Sequence, residues 1–257
     1  MNKAVIIIAR NEGAWTQITA DDFQSNFPDA QIIGFDDGGL NIWPDYVKVI
    51  RNSKPQGVGR CRLIGVNAAD ADCVIITDGH VMFERGDIEK AWELAKKGYI
   101  VNSTTKSITT GKEHGNGRKH DPVTHEAKNF TAKEGDEVGL IGGVYFMRKD
   151  VALQVIAPTP GHGYNEQIMT CAAFSLGHKI YCLPSMCFSH LYKKTFNYAI
   201  TYQEQARNKV LLQWWFFDFP MPSDASQQEK EYHAFIQKNR ILTVSELTKK
   251  LNSIGNE

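Results

Sequence analysis

The fold of this chain is decided at residues 74–83, which read Val74-Ile75-Ile76-Thr77-Asp78-Gly79-His80-Val81-Met82-Phe83. An apolar, β-branched run stops here at an acid, and such a run is typical of a strand buried on both faces. Asp-Gly is a strong turn dipeptide, so one interpretation is a simple turn after the strand. Residues two apart in an extended stretch project to the same side, so Asp78 and His80 are alternatively two ligands of one metal ion.

Strands alternate with helices on both sides of this stretch, which predicts a wound α/β sheet. Ligands of such sheets bind beyond the carboxyl ends of the strands, so polar residues at those ends are candidate site residues. The predicted strands are Ala4–Ala9, Gln31–Phe35, Tyr46–Arg51 and Cys73–Thr77, and the predicted helices are Trp15–Phe27, Val58–Asp70 and Asp87–Gly98.

The second half of the chain is less regular. Val101–Glu137 is polar and weakly patterned, so we predict a long loop or a mobile lid there. Two capping-box patterns, Ser226…Glu229 and Thr243…Glu246, predict helices near the end of the chain. We expect one domain over residues 1–220 and a helical extension over residues 221–257 that packs on it. The other predicted elements are strands Val144–Met147, Lys179–Leu183 and Met186–Ser189 and helices Gln167–Leu176 and Asn208–Phe217.

Composition narrows the class of protein. Of the 257 residues, 42% are apolar, and 29 basic side chains balance 29 acidic ones, which argues against a protein that coats nucleic acid. The five cysteines form no C-x-x-C pair, which argues against a zinc ribbon. This cysteine pattern favours a reducing, cytoplasmic compartment. If a phage encodes the chain, we expect that compartment to be the cytoplasm of the host cell. The apolar run Ala4–Ala9 is too short to cross a bilayer, so we expect no membrane span.

Further polar residues fall at the predicted carboxyl edge of the sheet. His190 follows a predicted strand and is the best-placed third metal ligand, with a purely structural histidine as the alternative; such a set suits Mn²⁺. Asp36 and Asp37 belong either to a solvated loop or to a site that accepts the N–H of a base or the hydroxyls of a ribose. Asn11 lies at the same edge. The sequence contains no Walker loop, no dinucleotide-binding glycine motif and no nucleophile elbow.

Seven segments follow one another in the order that a known enzyme family shows. They are Ile6–Glu12, Asp36-Asp37, Gly57–Arg62, Asp78-Gly79-His80, Ile141–Phe146, His190–Lys193 and Asn208–Trp215. In this series the chain resembles the catalytic domain of the polypeptide N-acetylgalactosaminyltransferases, within the wider GT-A glycosyltransferases. The resemblance implies a Rossmann-like GT-A fold for nucleotide-diphospho-sugar transferases, with a central mixed, mostly parallel sheet. It also implies that Asp78, His80 and His190 bind Mn²⁺ or Mg²⁺, and we expect neither the family's membrane anchor nor its lectin domain.

The resemblance also implies catalytic and donor-binding residues. The family's Trp-Gly-Gly-Glu-Asn segment is similar to His162–Glu166, where the tryptophan is missing and the acid and amide are exchanged, so the family's sugar is not carried over. An arginine of the family is Lys193 here, which keeps the charge but loses the bidentate fork. The implied catalytic residues are Asn165, Glu166 and Lys193. The implied donor-binding residues are Asn11, Asp36, Asp37, Arg62, Asp78, Gly142, Gly143 and Tyr198.

The function that we expect is transfer of a sugar from a UDP-sugar to a hydroxyl group, with retention of the anomeric configuration as the family implies; inversion is the alternative if Glu166 acts as a base. The polar middle region is locally basic and favours an anionic acceptor, so the acceptor that we expect is a hydroxymethyl-pyrimidine in DNA. A protein Ser or Thr hydroxyl and a saccharide or lipid-linked acceptor are alternatives. A sugar-nucleotide-binding module without catalysis is the alternative from another class. The basic residues are Lys106, Lys112, His114, Arg118, Lys119, His120, His125 and Lys128.

Overall fold

The apolar run before Asp78 is a strand at the centre of a sheet. A computed structural model, which describes residues 1–193 and 200–255, shows it as strand β4 (Cys73–Asp78) beside β1 (Lys3–Ala9). These two strands are parallel, and β1 is also parallel to β2 (Ala30–Asp36) on its other side. The carboxyl ends of the three strands therefore lie at one edge of the sheet, as the alternation of strands and helices predicts.

The first half of the chain follows the predicted alternation, with one additional strand. This strand, β5 (Val81–Arg85), was not predicted because it is short and ends in two exposed charged residues. The remaining elements of this half are helix α1 (Trp15–Asn26), strand β3 (Lys48–Arg51), helix α2 (Val58–Ala68) and helix α3 (Ile88–Lys96).

The second half contains more strands than the sequence pattern indicates. A small hairpin is formed by β7 (Gly117–His120) and β8 (Ala127–Phe130), and helix α4 (Lys149–Val155) was not predicted. The other elements are β6 (Ile100–Ser107), β9 (Val144–Arg148), α5 (Asn165–Ser175), β10 (Ile180–His190), α6 (Tyr202–Phe216), α7 (Gln227–Asn239) and α8 (Val244–Ser253).

The main sheet of the described residues has eight strands in the order β3-β2-β1-β4-β9-β6-β10-β5. Neighbouring strands are parallel except at the β4–β9, β6–β9 and β5–β10 pairs, which are antiparallel. This mixed, mostly parallel sheet confirms the predicted α/β class. The register of β10 shifts between Leu183 and Cys187, so the two strands predicted there are one irregular strand.

Strand β6 lies inside the main sheet, so the prediction of a loop or mobile lid over Val101–Glu137 is wrong for this part. From Asn102 onward its side chains are polar, and all of them except that of Lys106 are buried. Asn102 donates from Nδ2 to the carbonyl oxygen of Asn116 at 2.6 Å and accepts at Oδ1 from the backbone N–H of Ile141 at 3.2 Å. A strand that buries hydrogen-bonded polar side chains lacks the apolar pattern that sequence reasoning uses to recognise strands.

The core consists of two apolar layers, one on each face of the sheet. In β1, Val5 and Ile7 face one layer, whereas Ala4 and Ile6 face the other. Helices α1 and α3 cover the first face, and the second face is covered by α2 and the helices of the second half. Burial on both faces explains why the central strands are continuous apolar runs.

The last two helices begin at the predicted capping boxes, at Ser226 and Thr243. Their buried residues, among them Ile236 and Leu251, belong to the same apolar layer as α2 and α5. The division of the chain at residue 220 stays a prediction. In the described part of the chain, no helix has both the length and the apolar composition needed to cross a membrane.

Candidate active site

The three predicted metal ligands meet at the carboxyl edge of the sheet. Asp78 ends β4, His80 lies in the turn to β5, and His190 ends β10, which pairs with β5. One ligand atom from each residue lies within 4.8 Å of the others. Nε2 of His190 is 3.3 Å from Oδ2 of Asp78. The turn and the ligand interpretations of residues 78–80 are therefore compatible, because the Asp-Gly turn brings Asp78 and His80 to one point.

Gly143 allows His190 to approach the end of β4. Its φ is +124°, a backbone conformation that side-chain-bearing residues rarely adopt. A Cβ atom at this position would lie 3.3 Å from Cδ2 of His190. The carbonyl oxygen of Gly143 accepts a hydrogen bond from the backbone N–H of Asp78 at 3.3 Å. The glycine thus contacts two of the three candidate ligands.

Asp78 is surrounded by positive and hydrogen-bonding groups. Burial opposes ionisation of its carboxyl group, but the hydrogen bond from His190 and the charge of Arg62 hold its pKa well below the ordinary value. The distance from Nη2 of Arg62 to Oδ1 of Asp78 is 3.8 Å. The group is therefore a carboxylate, which is the form that binds a metal ion.

Arg62 joins this carboxylate to a second one at the start of α5. The arginine side chain is 3% exposed, and its Nη2 lies 3.2 Å from Oε1 of Glu166. The same oxygen accepts a hydrogen bond from the hydroxyl of Tyr145 at 3.0 Å. Burial raises the pKa of Glu166, but the charges of Arg62 and Arg118 outweigh it, so the pKa is lowered overall. Glu166 is therefore an ionised hydrogen-bond acceptor.

Asn165 precedes Glu166 as the first residue of α5. It is buried, and its Oδ1 accepts a hydrogen bond from the hydroxyl of Thr159 at 2.6 Å. Tyr164, immediately before it, has a φ of +58°, so the chain turns sharply into the helix. This turn directs the exchanged Asn-Glu pair to the same cavity as the metal ligands.

Glu12 is a buried carboxylate that sequence reasoning did not assign to the site. Its Oε2 lies 3.2 Å from Nδ1 of His80 and forms an ion pair with Nζ of Lys193. Burial raises the pKa of Glu12, but His80 and Lys193 lower it by more. The charge that we expected Lys193 to place beside a diphosphate is thus shared with this acid.

The three candidate ligands, Glu12 and the Asn165-Glu166 pair line one cavity of about 320 Å³. Asn11, Asp36 and Gly143 are not among its lining residues, and Tyr198 lies outside the described residues. The predicted site residues that do line it are Asp37, Arg62, Asp78, His80, Gly142, Asn165, Glu166, His190 and Lys193.

The two acids after β2 have different surroundings. Asp37 accepts hydrogen bonds at Oδ1 from Asn52 Nδ2 at 2.9 Å and the backbone N–H of Gln56 at 2.7 Å, and at Oδ2 from the N–H of Gly57 at 3.0 Å. Asp36 instead accepts from Asn41 Nδ2 at 2.6 Å, away from the cavity. Of the two, Asp37 is therefore the one that can reach a bound ligand.

Asn11 stabilises the loop that follows β2. Its Oδ1 accepts a hydrogen bond from the backbone N–H of Leu40 at 2.9 Å. A Cβ atom on Gly39 would lie 1.9 Å from that oxygen, so only a glycine fits there. The direct donor contact predicted for Asn11 has no support from this geometry.

The basic middle region is less exposed than its sequence indicates. His120 and His125 are buried, and burial lowers the pKa of His120 to about 3. Lys106 lies 3.4 Å from Glu84. Arg118 lines the cavity. The region therefore supplies one arginine to the cavity, and its buried histidines carry no positive charge at neutral pH.

The donor atoms of the three ligands fit a divalent cation. One carboxylate oxygen and two imidazole nitrogens suit a borderline ion such as Mn²⁺. The carboxylate is ionised, and the rings of His80 and His190 lie 4.8 Å apart between centroids. Exposed acidic groups are common without a metal ion, but here His80 from a turn and His190 from the end of β10 converge on the same carboxylate.

Comparisons with known proteins agree with this architecture. The family model "Glycosyl transferase family 2" matches residues 4–155. The structure of GalNAc-T7 with UDP, GalNAc and Mn²⁺ superimposes with a TM-score of 0.69 at 17% identity, over 98% of this chain and 55% of that one. Staphylococcus aureus TarS 1–349 with UDP-GlcNAc gives a TM-score of 0.62 at 12% identity, over 93% of this chain and 71% of that one.

These similarities confirm the predicted GT-A fold, because at such low identities structural likeness speaks for the fold alone. The chain spans about half the length of the GalNAc-T7 chain. A search of curated protein sequences found no match.

Proposed function

The chain belongs to glycosyl transferase family 2, and we propose that it transfers a sugar from a UDP-sugar to a hydroxyl group with the help of a divalent metal ion. The observation that carries this proposal is the convergence of Asp78, His80 and His190 beside Asn165 and Glu166 in one cavity. The neighbouring structures were determined with UDP, with UDP-GlcNAc and with Mn²⁺. They support the choice of a UDP-linked donor.

The diphosphate would lie at the metal ligands. Mn²⁺ or Mg²⁺ held by Asp78, His80 and His190 would act as a Lewis acid on the leaving UDP. Lys193 lines the cavity beside His190 and would add positive charge where negative charge develops. The charge of Arg62 is already balanced by Asp78 and Glu166, so its proposed role is to hold both carboxylates in place.

The uridine would lie at Asp37. Three hydrogen bonds already reach this carboxylate, and a carboxylate accepts about four. Asp37 also lines the cavity, where its oxygens would accept a hydrogen bond from an N–H of the base or a hydroxyl of the ribose. Asp36 and Asn11 would support the surrounding loops, and Tyr198 is kept as a proposed donor contact outside the described residues.

The sugar would lie between the metal and α5. Glu166 would accept hydrogen bonds from its hydroxyl groups, and the side-chain amide of Asn165 would donate to them. The pKa of Glu166 is lowered, so this carboxylate is a weaker base than an ordinary glutamate. We therefore propose retention, with the leaving phosphate taking the acceptor proton. Proton NMR of the product will show the anomeric configuration, and an inverted product would assign the base role to Glu166.

The acceptor proposal rests on the one arginine of the basic region that lines the cavity. Arg118 donates from Nε to Asn129 at 2.9 Å and leaves its terminal nitrogens as donors for an anionic acceptor. Hydroxymethyl-pyrimidine in DNA is the acceptor that we propose. Binding of hydroxymethylated duplex should weaken as salt rises. Binding that is absent at low salt would favour a protein or saccharide acceptor instead.

A donor screen tests the proposed reaction. The chain is incubated with a panel of UDP-sugars, with and without Mn²⁺, and UDP release is measured. Mn²⁺-dependent release from at least one donor is expected. A protein that binds a UDP-sugar but never releases UDP would be a sugar-nucleotide-binding module. Mass spectrometry of candidate acceptors, hydroxymethylated DNA included, then identifies the product.

A further inference from the structure

Glu12 contacts two different functional parts of the cavity through one oxygen atom. Its Oε2 is 3.2 Å from Nδ1 of His80, a candidate metal ligand. The same atom forms an ion pair with Lys193, the candidate diphosphate cation. No other carboxylate among the described residues contacts both side chains.

The surroundings of Glu12 fix this carboxylate in place. The residue is 7% exposed. Its backbone N–H donates to Oδ1 of Asn41 at 2.8 Å, and its backbone carbonyl accepts from the N–H of Trp15 at 3.2 Å. A buried charge is costly unless it is paired, so the pair with Lys193 and the contact with His80 stabilise it.

The contact with Glu12 engages Nδ1 of His80, which leaves Nε2 as the ring nitrogen available to a metal ion. Nδ1 of His80 is buried and has no well-aligned hydrogen bond among the described residues, so its contact with Glu12 is mainly electrostatic. A nearby carboxylate favours the tautomer with the proton on Nδ1. Nε2 then keeps its lone pair for a metal ion. Histidine ligands in proteins commonly have such a carboxylate partner, which fixes the ring and increases its basicity.

We propose that Glu12 is a positioning residue of the metal centre, which orients His80 and at the same time holds Lys193 beside the cavity. This inference rests on the proposed metal-dependent function. It adds a role for a residue that lines the cavity but is not one of the three candidate ligands. It also means that the diphosphate of a bound donor competes with Glu12 for the ammonium group of Lys193.

Direct titration of Mn²⁺ without any UDP-sugar tests the proposal. Free Mn²⁺ is measured by its EPR signal for the wild-type chain and for Glu12→Gln, an isosteric change that removes the charge. We expect the variant to bind Mn²⁺ about 10- to 100-fold more weakly, the usual loss when such a carboxylate partner is removed. Equal Mn²⁺ affinity in the two proteins would overturn the proposal.

Two further variants separate this role from general effects. Glu84→Gln removes a carboxylate that contacts Ser189, next to His190, but does not line the cavity; its Mn²⁺ affinity should stay at the wild-type value. Lys193→Met removes the other partner of Glu12 and should leave Mn²⁺ affinity unchanged or higher. If Lys193→Met weakens Mn²⁺ binding as much as Glu12→Gln, then Glu12 acts through Lys193 and the proposal is wrong.

Mn²⁺ binding by the wild type and by Glu12→Gln distinguishes a failure of the Glu12 role from a failure of the proposed function. If wild-type protein binds Mn²⁺ and Glu12→Gln binds it equally well, only the role of Glu12 is refuted. If wild-type protein binds no Mn²⁺, the metal centre itself is refuted, and the role of Glu12 with it. Thermal unfolding of each variant shows that it is folded; should Glu12→Gln not fold, Mn²⁺ binding by Lys193→Met that is weaker than in the wild type would still overturn the proposal.

Discussion

Two adjacent glycines should respond differently to the same substitution. Gly143 has a φ of +124°, and an added Cβ would lie 3.3 Å from the His190 ring, whereas a Cβ on Gly142 would meet nothing within 4 Å. We expect Gly143→Ala to lower the free energy of unfolding by about 1–3 kcal/mol, the usual cost of a strained backbone. It should also weaken Mn²⁺ binding, because the ligand ring must move.

Gly142→Ala is the matched control. It should change the free energy of unfolding, measured by urea titration, by no more than about 0.5 kcal/mol. Wild-type Mn²⁺ affinity in Gly143→Ala would show that the close approach to His190 does not position the ligand.

Single residues of the site were predictable where local spacing determines their direction. Asp78 and His80 are two positions apart at a strand end, and their convergence follows from that spacing. The contact of Arg62 with Glu166 joins residues 104 positions apart, and the pair of Glu12 with Lys193 joins residues 181 positions apart. Such contacts depend on how the loops pack at the sheet edge, which no local pattern encodes.

Helix α6 holds the loop that leads into the Asn165-Glu166 turn. Asn208 is fully buried, and its Nδ2 donates to the carbonyl oxygens of Pro160 and Gly163, each at 2.9 Å. Asn208→Ala leaves both carbonyls without this donor, which should cost about 1–3 kcal/mol of stability. We also expect the KM for the donor to rise several-fold, because the loop lines the cavity.

Asn239→Ala is a suitable comparison for Asn208→Ala. Asn239 also donates from Nδ2 to a carbonyl oxygen, that of Phe235 at 2.8 Å, but at the exposed end of α7. The KM of the Asn239→Ala variant for the UDP-sugar donor should equal the wild-type value. If both variants raise KM equally, α6 does not position the loop.

Strand β7 carries a histidine that should make stability pH-dependent. Burial lowers the pKa of His120 to about 3, whereas an unfolded histidine titrates near pH 6.5. The unfolded chain therefore gains a proton between about pH 6.5 and pH 3 that the folded chain does not. The contribution of His120 to stability is fully present above about pH 6.5, falls by about 1.4 kcal/mol for each pH unit within that window, and does not fall further below about pH 3.

His120→Gln removes this titration. Urea unfolding at pH 7, 5.5 and 4.5 should give a shallower loss of stability in the variant than in the wild type. An identical slope in both proteins would mean that His120 takes up its proton over the same pH range in the folded and the unfolded chain.

Elements were predictable from sequence where apolar residues follow the period of the element. Strands β1, β2 and β4 and helices α1, α2 and α3 meet that condition. Strand β6 does not, because it buries Asn102 and Thr104, whose side chains find their hydrogen-bond partners in distant parts of the chain. Strand β5 was missed since three of its residues are apolar and the last two are exposed charges.

At the scale of the whole molecule, the last two helices complete the core on one face of the sheet. Ile236, Leu247 and Leu251 are buried there, and Glu229 pairs with Arg207 of α6 at 2.8 Å. Each large apolar side chain lost from a core costs about 2–5 kcal/mol, against a total stability of about 5–15 kcal/mol. A chain that ends at residue 220 should therefore not unfold cooperatively.

Urea and thermal unfolding of residues 1–220 and of the full chain provide the measurement. Ile236→Ala in the full chain should be folded but less stable by about 2–5 kcal/mol. A truncated chain with the unfolding midpoint of the full chain would show that the helical extension is an independent addition.

The proposed metal-assisted sugar transfer depends on Asp78. The most direct test is Mn²⁺-dependent release of UDP by the wild type, Asp78→Ala and Asp72→Ala. Asp72 lies at the opposite end of β4, exposed, and accepts a hydrogen bond from the backbone N–H of Asn2 at 2.9 Å. We expect the wild type and Asp72→Ala to release UDP until EDTA is added. Asp78→Ala should be slower by at least about 100-fold, since a metal contributes several kcal/mol to the transition state; wild-type Mn²⁺-dependent release by Asp78→Ala would contradict the account.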